Sequence, residues 1–244
     1  MNPLFTALVD DAGLFPPTSL PMDAALARHR RDAERAEPML TQRFLCPAGR
    51  LDTLRRSEWI PARIGLILDT PEVPAYDDLP VDFLEVRCPP EEAGPVAGVR
   101  VFVEVPPQLH LTAPAEGVGL KVRCGGLTAD AFPNPDQLGG FIRFCADNRV
   151  PFKATAGLHH AVRHFDPALG VDRHGFLNLV LAVCEAVEGR DPAPVLRTTD
   201  ADRLVRLTRA VPEETAVRAR QLLVSYGSCS TSTPVDDLRS LGVT

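Results

Sequence analysis

Lysine is nearly missing from this chain. Only Lys121 and Lys153 stand among its 26 basic residues, and the other 24 are arginines. A coding bias toward arginine explains a surface where any positive charge will do. It does not explain why both lysines stand in short apolar runs, VGLKVRCGG and VPFKATAGL. Lysine differs from arginine in that it can lose its proton and attack a carbonyl. Two internal ion pairs are the plainer reading of the same residues.

Other absences narrow the function class. No Lys/Arg-rich stripe is present and the net charge is −6, which argues against a nucleic-acid partner. No apolar run approaches membrane-spanning length, and MNPLFTALVDDAG lacks the basic start of a signal peptide. No CxxC pair occurs. The six cysteines (Cys46, Cys88, Cys124, Cys145, Cys184, Cys229) are scattered, which reads as reduced thiols rather than a disulfide framework. The expectation is a cytoplasmic protein with no membrane partner and no cofactor. Assembly into a homo-oligomer is left open.

What is present is a regular alternation. Eight short apolar or β-branched runs recur: LFTALVDD, RFLCP, RIGLILD, DFLEVRC, RVFVEVP, VGLKVRCGG, PFKATAGL and QLLVSYGS. Helical patterns lie between several of them, at 22–36, 51–59, 135–147 and 176–188, with two more near 200–210 and 213–221. Strands alternating with helices imply a parallel sheet. Eight such strands in a chain of this length predict one domain over residues 1–244, a (β/α)8 TIM-type barrel. Pro-rich connections between Pro89 and Pro114 leave room only for shortened helices after strands four and five. A doubly wound open sheet is the alternative fold.

Strand alternation sorts the polar residues by face. Glu85 and Arg87 share one face, and Glu104 stands opposite a row of valines. Lys121, Arg123 and Gly125 share another face, as do Lys153, Thr155 and Gly157. Facing inward, these residues would form a charge belt in one barrel interior, where unpaired burial costs several kcal/mol per ion. Two lysines on neighbouring strands would each disfavour the other's protonation, leaving one as an amine fit for Schiff-base formation. Glu85 and Glu104 could then move protons. Asp10 and Asp11, at the end of the first strand, could add a carboxylate to the same pocket, or close a turn.

The order of these motifs resembles the class I aldolase barrels, most closely the deoxyribose-phosphate aldolase family. LVDDAGLFPP, FLCPAGRL, EVRCP, VFVEVP, KVRCG, FKATAG and YGSCSTS follow one another as that family's strand motifs do. The resemblance implies that Lys121 is the Schiff-base nucleophile and Lys153 the group that depresses its pKa. It implies that Glu85 replaces the family's proton-transferring aspartate. It also implies substrate contacts from the turn carrying Gly227, Ser228 and Ser230. The turn after strand seven departs from the family, reading AGLHH where two glycines help cradle phosphate, so a phosphate on the substrate is not implied.

Four of the six histidines, His159, His160, His164 and His174, fall within sixteen residues. His159 and His160 leave directly from a lysine-bearing strand and are expected to face a substrate. The expectation is a lysine-dependent aldolase or lyase acting on a small carbonyl substrate, with no metal. The alternatives are a metal-assisted hydrolase or isomerase built on His159, His160 and His164, and a non-catalytic barrel that binds a small anion.

Overall fold

Each of the eight apolar runs forms a strand in the computed structural model, which describes residues 2–106 and 111–243. They are β1 (Val9–Asp11), β2 (Leu40–Pro47), β3 (Ile64–Ile67), β4 (Val81–Val86), β5 (Arg100–Val105), β6 (Val118–Arg123), β7 (Phe152–Thr155) and, after a hairpin, β10 (Leu223–Ser228). All pair in parallel with their neighbours, and β10 pairs with β1 to close the barrel. The fold is a (β/α)8 TIM-type barrel.

The helices follow from local sequence. α1 (Met22–Arg35) and α2 (Leu51–Arg55) lie beside β2, and their buried apolar residues pack on the outward side chains Phe44, Cys46, Ile64 and Leu66. α3 (Pro135–Asn148) starts at a capping box, in which the Asn134 side chain accepts from two backbone N–H groups and Gln137 accepts from the Asn134 N–H. α4 (Phe176–Val187) is apolar on nearly every side because it is covered on nearly every side, packing against α3, α5 (Ala193–Arg197) and α7 (Glu213–Leu222). α6 (Ala201–Ala210) and α8 (Ser232–Ser240) complete the set.

The outer layer is incomplete on one side. Among the described residues, no helix lies between β3 and β6. Pro71, Pro74, Pro80, Pro89, Pro90 and Pro95 interrupt those connections, and each removes an N–H and disfavours helical backbone just before it. The shortening expected after strands four and five thus goes further and begins one connection earlier. A second feature has no counterpart in the sequence reading. β8 (His164–Asp166) and β9 (Val171–Arg173) form an antiparallel hairpin between β7 and α4, turning at Gly170 with φ +66°.

Inside the barrel the side chains form layers. At the N-terminal end, Phe83 and Phe102 meet edge-to-face with centroids 5.6 Å apart. Gly65 and Gly119 give these rings their space, since a Cβ at either position would lie 2.4–2.6 Å from the nearest ring carbon. Above the rings lies a layer of buried charges. Above that, at the C-terminal ends of the strands, an open cavity begins. No helix among the described residues is long and apolar enough to cross a membrane.

Candidate active site

The charged layer is built from one inward residue on each of six strands. Asp10 on β1 is fully buried and accepts from Thr41 Oγ1 (2.7 Å), Arg43 Nη1 (2.7 Å), Ser225 Oγ (2.7 Å) and Lys153 Nζ. Burial alone would raise its pKa. The Lys153 and Arg43 cations outweigh that and hold it down to about 2. Lys153 lies over the Phe83 ring, 3.6 Å from its centroid, and 3.3 Å from Glu85 Oε1. The other oxygen of Glu85 contacts Lys121 Nζ at 2.5 Å, and Lys121 also meets Glu104 Oε2 at 2.7 Å. Glu104 in turn accepts from Arg87 Nε at 3.0 Å, with Arg123 Nη1 3.8 Å away. The result is a continuous alternation of sign, from Arg43 at the buried end to Arg87 and Arg123 at the rim.

The two lysines occupy different environments. Lys121 lines the cavity, whereas Lys153 lies beneath it and is 1% exposed. For Lys121 burial favours the neutral amine, but Glu85 and Glu104 prevail and its pKa moves up. For Lys153 burial is the largest influence. Asp10 and Glu85 oppose it, Arg43 reinforces it, and the net direction is down. This corrects the electrostatic expectation. The lysine with the depressed pKa is the one without cavity access, and the cation that repels it is Arg43 rather than Lys121. Glu104, pulled up by burial and down more strongly by Lys121, Arg87 and Arg123, stays ionised.

The cavity measures about 490 Å³, the volume of a small-molecule site. Glu85, Arg87, Lys121, Arg123, Thr155, Gly157, His159 and Gly227 all line it. No protein family, characterised protein or solved structure matches the chain. The site's chemistry therefore rests on its own geometry.

Several residues expected at the site stand elsewhere. Asp10 is sealed below the cavity and organises the charged layer from there. Its neighbour Asp11 points the other way, accepting from the Gly13 N–H and pairing with His29 and Arg28, which ties β1 to α1. Gly125 does not line the cavity; it lets β6 approach the Gly157 backbone, where a Cβ would lie 2.9 Å from the Gly157 Cα. Ser228 and Ser230 spend their hydroxyls on the turn before α8, with Ser228 Oγ donating to the Ser230 carbonyl (2.6 Å) and Ser230 Oγ accepting from the Thr233 N–H (3.2 Å).

The histidines diverge. His160 turns outward to Asp237 (3.2 Å) and meets His164 edge-to-face. His174 is wholly buried against the Pro133 carbonyl (2.7 Å), and burial pushes its pKa down to about 4. Only His159 reaches the cavity among these four. Among the described residues, no three His, Cys, Asp or Glu side chains converge as metal ligands.

Other residues enter the site without having been expected. Arg43 shares a β2 face with Thr41 and Leu45, so alternation alone could have placed it inward. The β8–β9 hairpin brings Asp166, Leu169 and Arg173 to the cavity wall, with Arg173 Nε donating to Asp166 Oδ2 (2.6 Å). Phe15, the cis-linked Pro16–Pro17 pair, Ile67 and Leu127 make the remaining wall largely apolar.

Proposed function

We propose that the protein is a lysine-dependent lyase of the aldolase type, forming a Schiff base between Lys121 and a small carbonyl substrate. One observation carries this reading. Lys121 is the one lysine lining the cavity, and its Nζ lies between two carboxylates that can receive and return its proton. The resemblance of the motif order to class I aldolases supports the same assignment.

Glu85 is the proposed shuttle. It takes a proton from the Lys121 ammonium, and the freed amine attacks the substrate carbonyl carbon. The carbonyl oxygen leaves as water with protons returned through Glu85. The resulting iminium accepts the electron pair of the breaking carbon–carbon bond as a carboxylate removes the β-hydroxyl proton. An aldehyde departs, the enamine is protonated at carbon, and hydrolysis restores Lys121. Lys153 and Asp10 act beneath as positioning residues, since Lys153 neutralises Glu85 from the side away from substrate. Arg87 and Arg123 suit an anionic group on the substrate, and the apolar wall suits its carbon chain. The six free cysteines fit a reducing, cytoplasmic setting, which belongs to the same proposal.

Borohydride reduction in the presence of a panel of small aldehydes and keto acids, followed by peptide mass spectrometry, tests the reading. A carbonyl-dependent adduct on Lys121 is expected. Substrate-like binding with no adduct at any carbonyl compound would favour a non-catalytic anion-binding barrel instead.

A further inference from the structure

The cavity holds a second pair of groups that Schiff-base chemistry does not use. Cys229, on the turn leaving β10, and His159, on the turn leaving β7, both line it, with Sγ 3.5 Å from Nδ1. The two turns are neighbours because β7 and β10 pair directly. Among the described residues, Cys229 is the only cysteine on the cavity wall and His159 the only histidine. Cys46, Cys124, Cys145 and Cys184 are buried in apolar packing that raises their thiol pKa values. Cys229 faces the cavity instead: Arg28 Nη1 donates to its backbone carbonyl (2.7 Å), and the paired Arg173 and Asp166 line the same cavity. Burial, and then Arg173, lower the His159 pKa, leaving a neutral imidazole able to accept a thiol proton.

We propose that Cys229 and His159 form a thiol–imidazole site that adds to α,β-unsaturated carbonyl compounds bound with their oxygen toward the Lys121 ammonium. The choice of electrophile follows from the company the thiol keeps. A thiolate is a soft nucleophile suited to a conjugated carbon, and an ammonium at the carbonyl oxygen draws electrons from that carbon. In the addition, the Cys229 S–H proton passes to His159 Nδ1 and sulfur forms a bond to the β-carbon. The alkene pair moves toward the carbonyl, whose oxygen takes the charge beside Lys121. The His159 imidazolium then protonates the α-carbon. Hydrogen and sulfur have added across the double bond, with no change in the protein's redox state. The step needs Lys121 only as an ammonium, so it does not depend on Schiff-base formation.

The test treats the full chain with methyl vinyl ketone at neutral pH and maps adducts by peptide mass spectrometry without reduction, with iodoacetamide as a parallel thiol probe. A Schiff base on Lys121 would escape detection without borohydride, so the two readings stand or fall separately. Cys229 should be alkylated by the enone about tenfold faster than Cys88, the other thiol with some exposure, and His159→Gln should slow it about fivefold or more. Cys229→Ser, shown folded by circular dichroism, should abolish the fast adduct. Three results would overturn the proposal: reaction at Cys229 no faster than at Cys88, a rate unchanged in His159→Gln, or rapid iodoacetamide labelling with no preference for the enone.

Discussion

Lys121 owes its character to the two carboxylates beside it more than to its own burial. Because its pKa is raised, the amine fraction at neutral pH is small and grows as pH rises. Turnover through a Lys121 Schiff base should therefore climb through the alkaline range toward the raised pKa, which a pH–rate profile would display. Replacing Glu85 by Gln removes the proposed shuttle while keeping the side chain's shape. A loss of about 10²–10⁴ in kcat, with KM less affected, is the expected outcome in steady-state assays. Much at this scale was legible in the sequence, since alternation sorted Glu85, Lys121 and Lys153 onto shared polar faces. The expectation that these faces point inward, with Glu104, is what the barrel shows. The depth of each side chain was not legible. Lys121 lines the cavity while Lys153, its direct partner across β6 and β7, and Asp10 lie sealed beneath it, a difference set by how the tilted strands close into the barrel.

At the scale of elements, β3 and β6 each give up a side chain so that a neighbouring phenylalanine can fill the barrel's end. Gly65→Ala would drive a methyl to 2.4 Å from the Phe83 ring. The ring cannot yield freely, because Lys153 lies on its face and Phe102 against its edge. A destabilisation of about 1–3 kcal/mol in urea unfolding is expected, with activity falling as Phe83 displaces Lys153. All eight barrel strands were legible because each is a β-branched or apolar run, most of them bounded by Pro, Gly or Asp. The β8–β9 hairpin was not, because HFD and VDR are too short and polar to carry a period of two. α5 is only five residues long and likewise lacks a measurable periodicity.

For the molecule as a whole, buried ionisation couples stability to pH. His174 has a folded pKa of about 4 against 6.5 unfolded, so the unfolded chain gains a proton first and stability falls as pH drops between those values. Asp10 has a folded pKa of about 2 against 3.8, so its contribution is present above the unfolded value and disappears as pH falls toward 2. By linkage the Asp10 transition is worth about 2 kcal/mol and the His174 transition about 3 kcal/mol or slightly more. Urea midpoints measured from pH 7 downward should decline in two stages. A variant lacking His174 should show a smaller first stage, with the His159 contribution left, and keep the second.

The Phe83–Phe102 pair and the ion-paired layer above it make the barrel a cup rather than a tube. Whatever reacts at Lys121 must enter and leave by one mouth, past the hairpin and Leu127. For a lyase this imposes an order on release: the aldehyde fragment must clear the opening before water reaches the imine and frees the second product. The second product and the substrate would then compete for the same free enzyme. The first fragment would instead return to the enamine-bound form, giving a different inhibition pattern for each product.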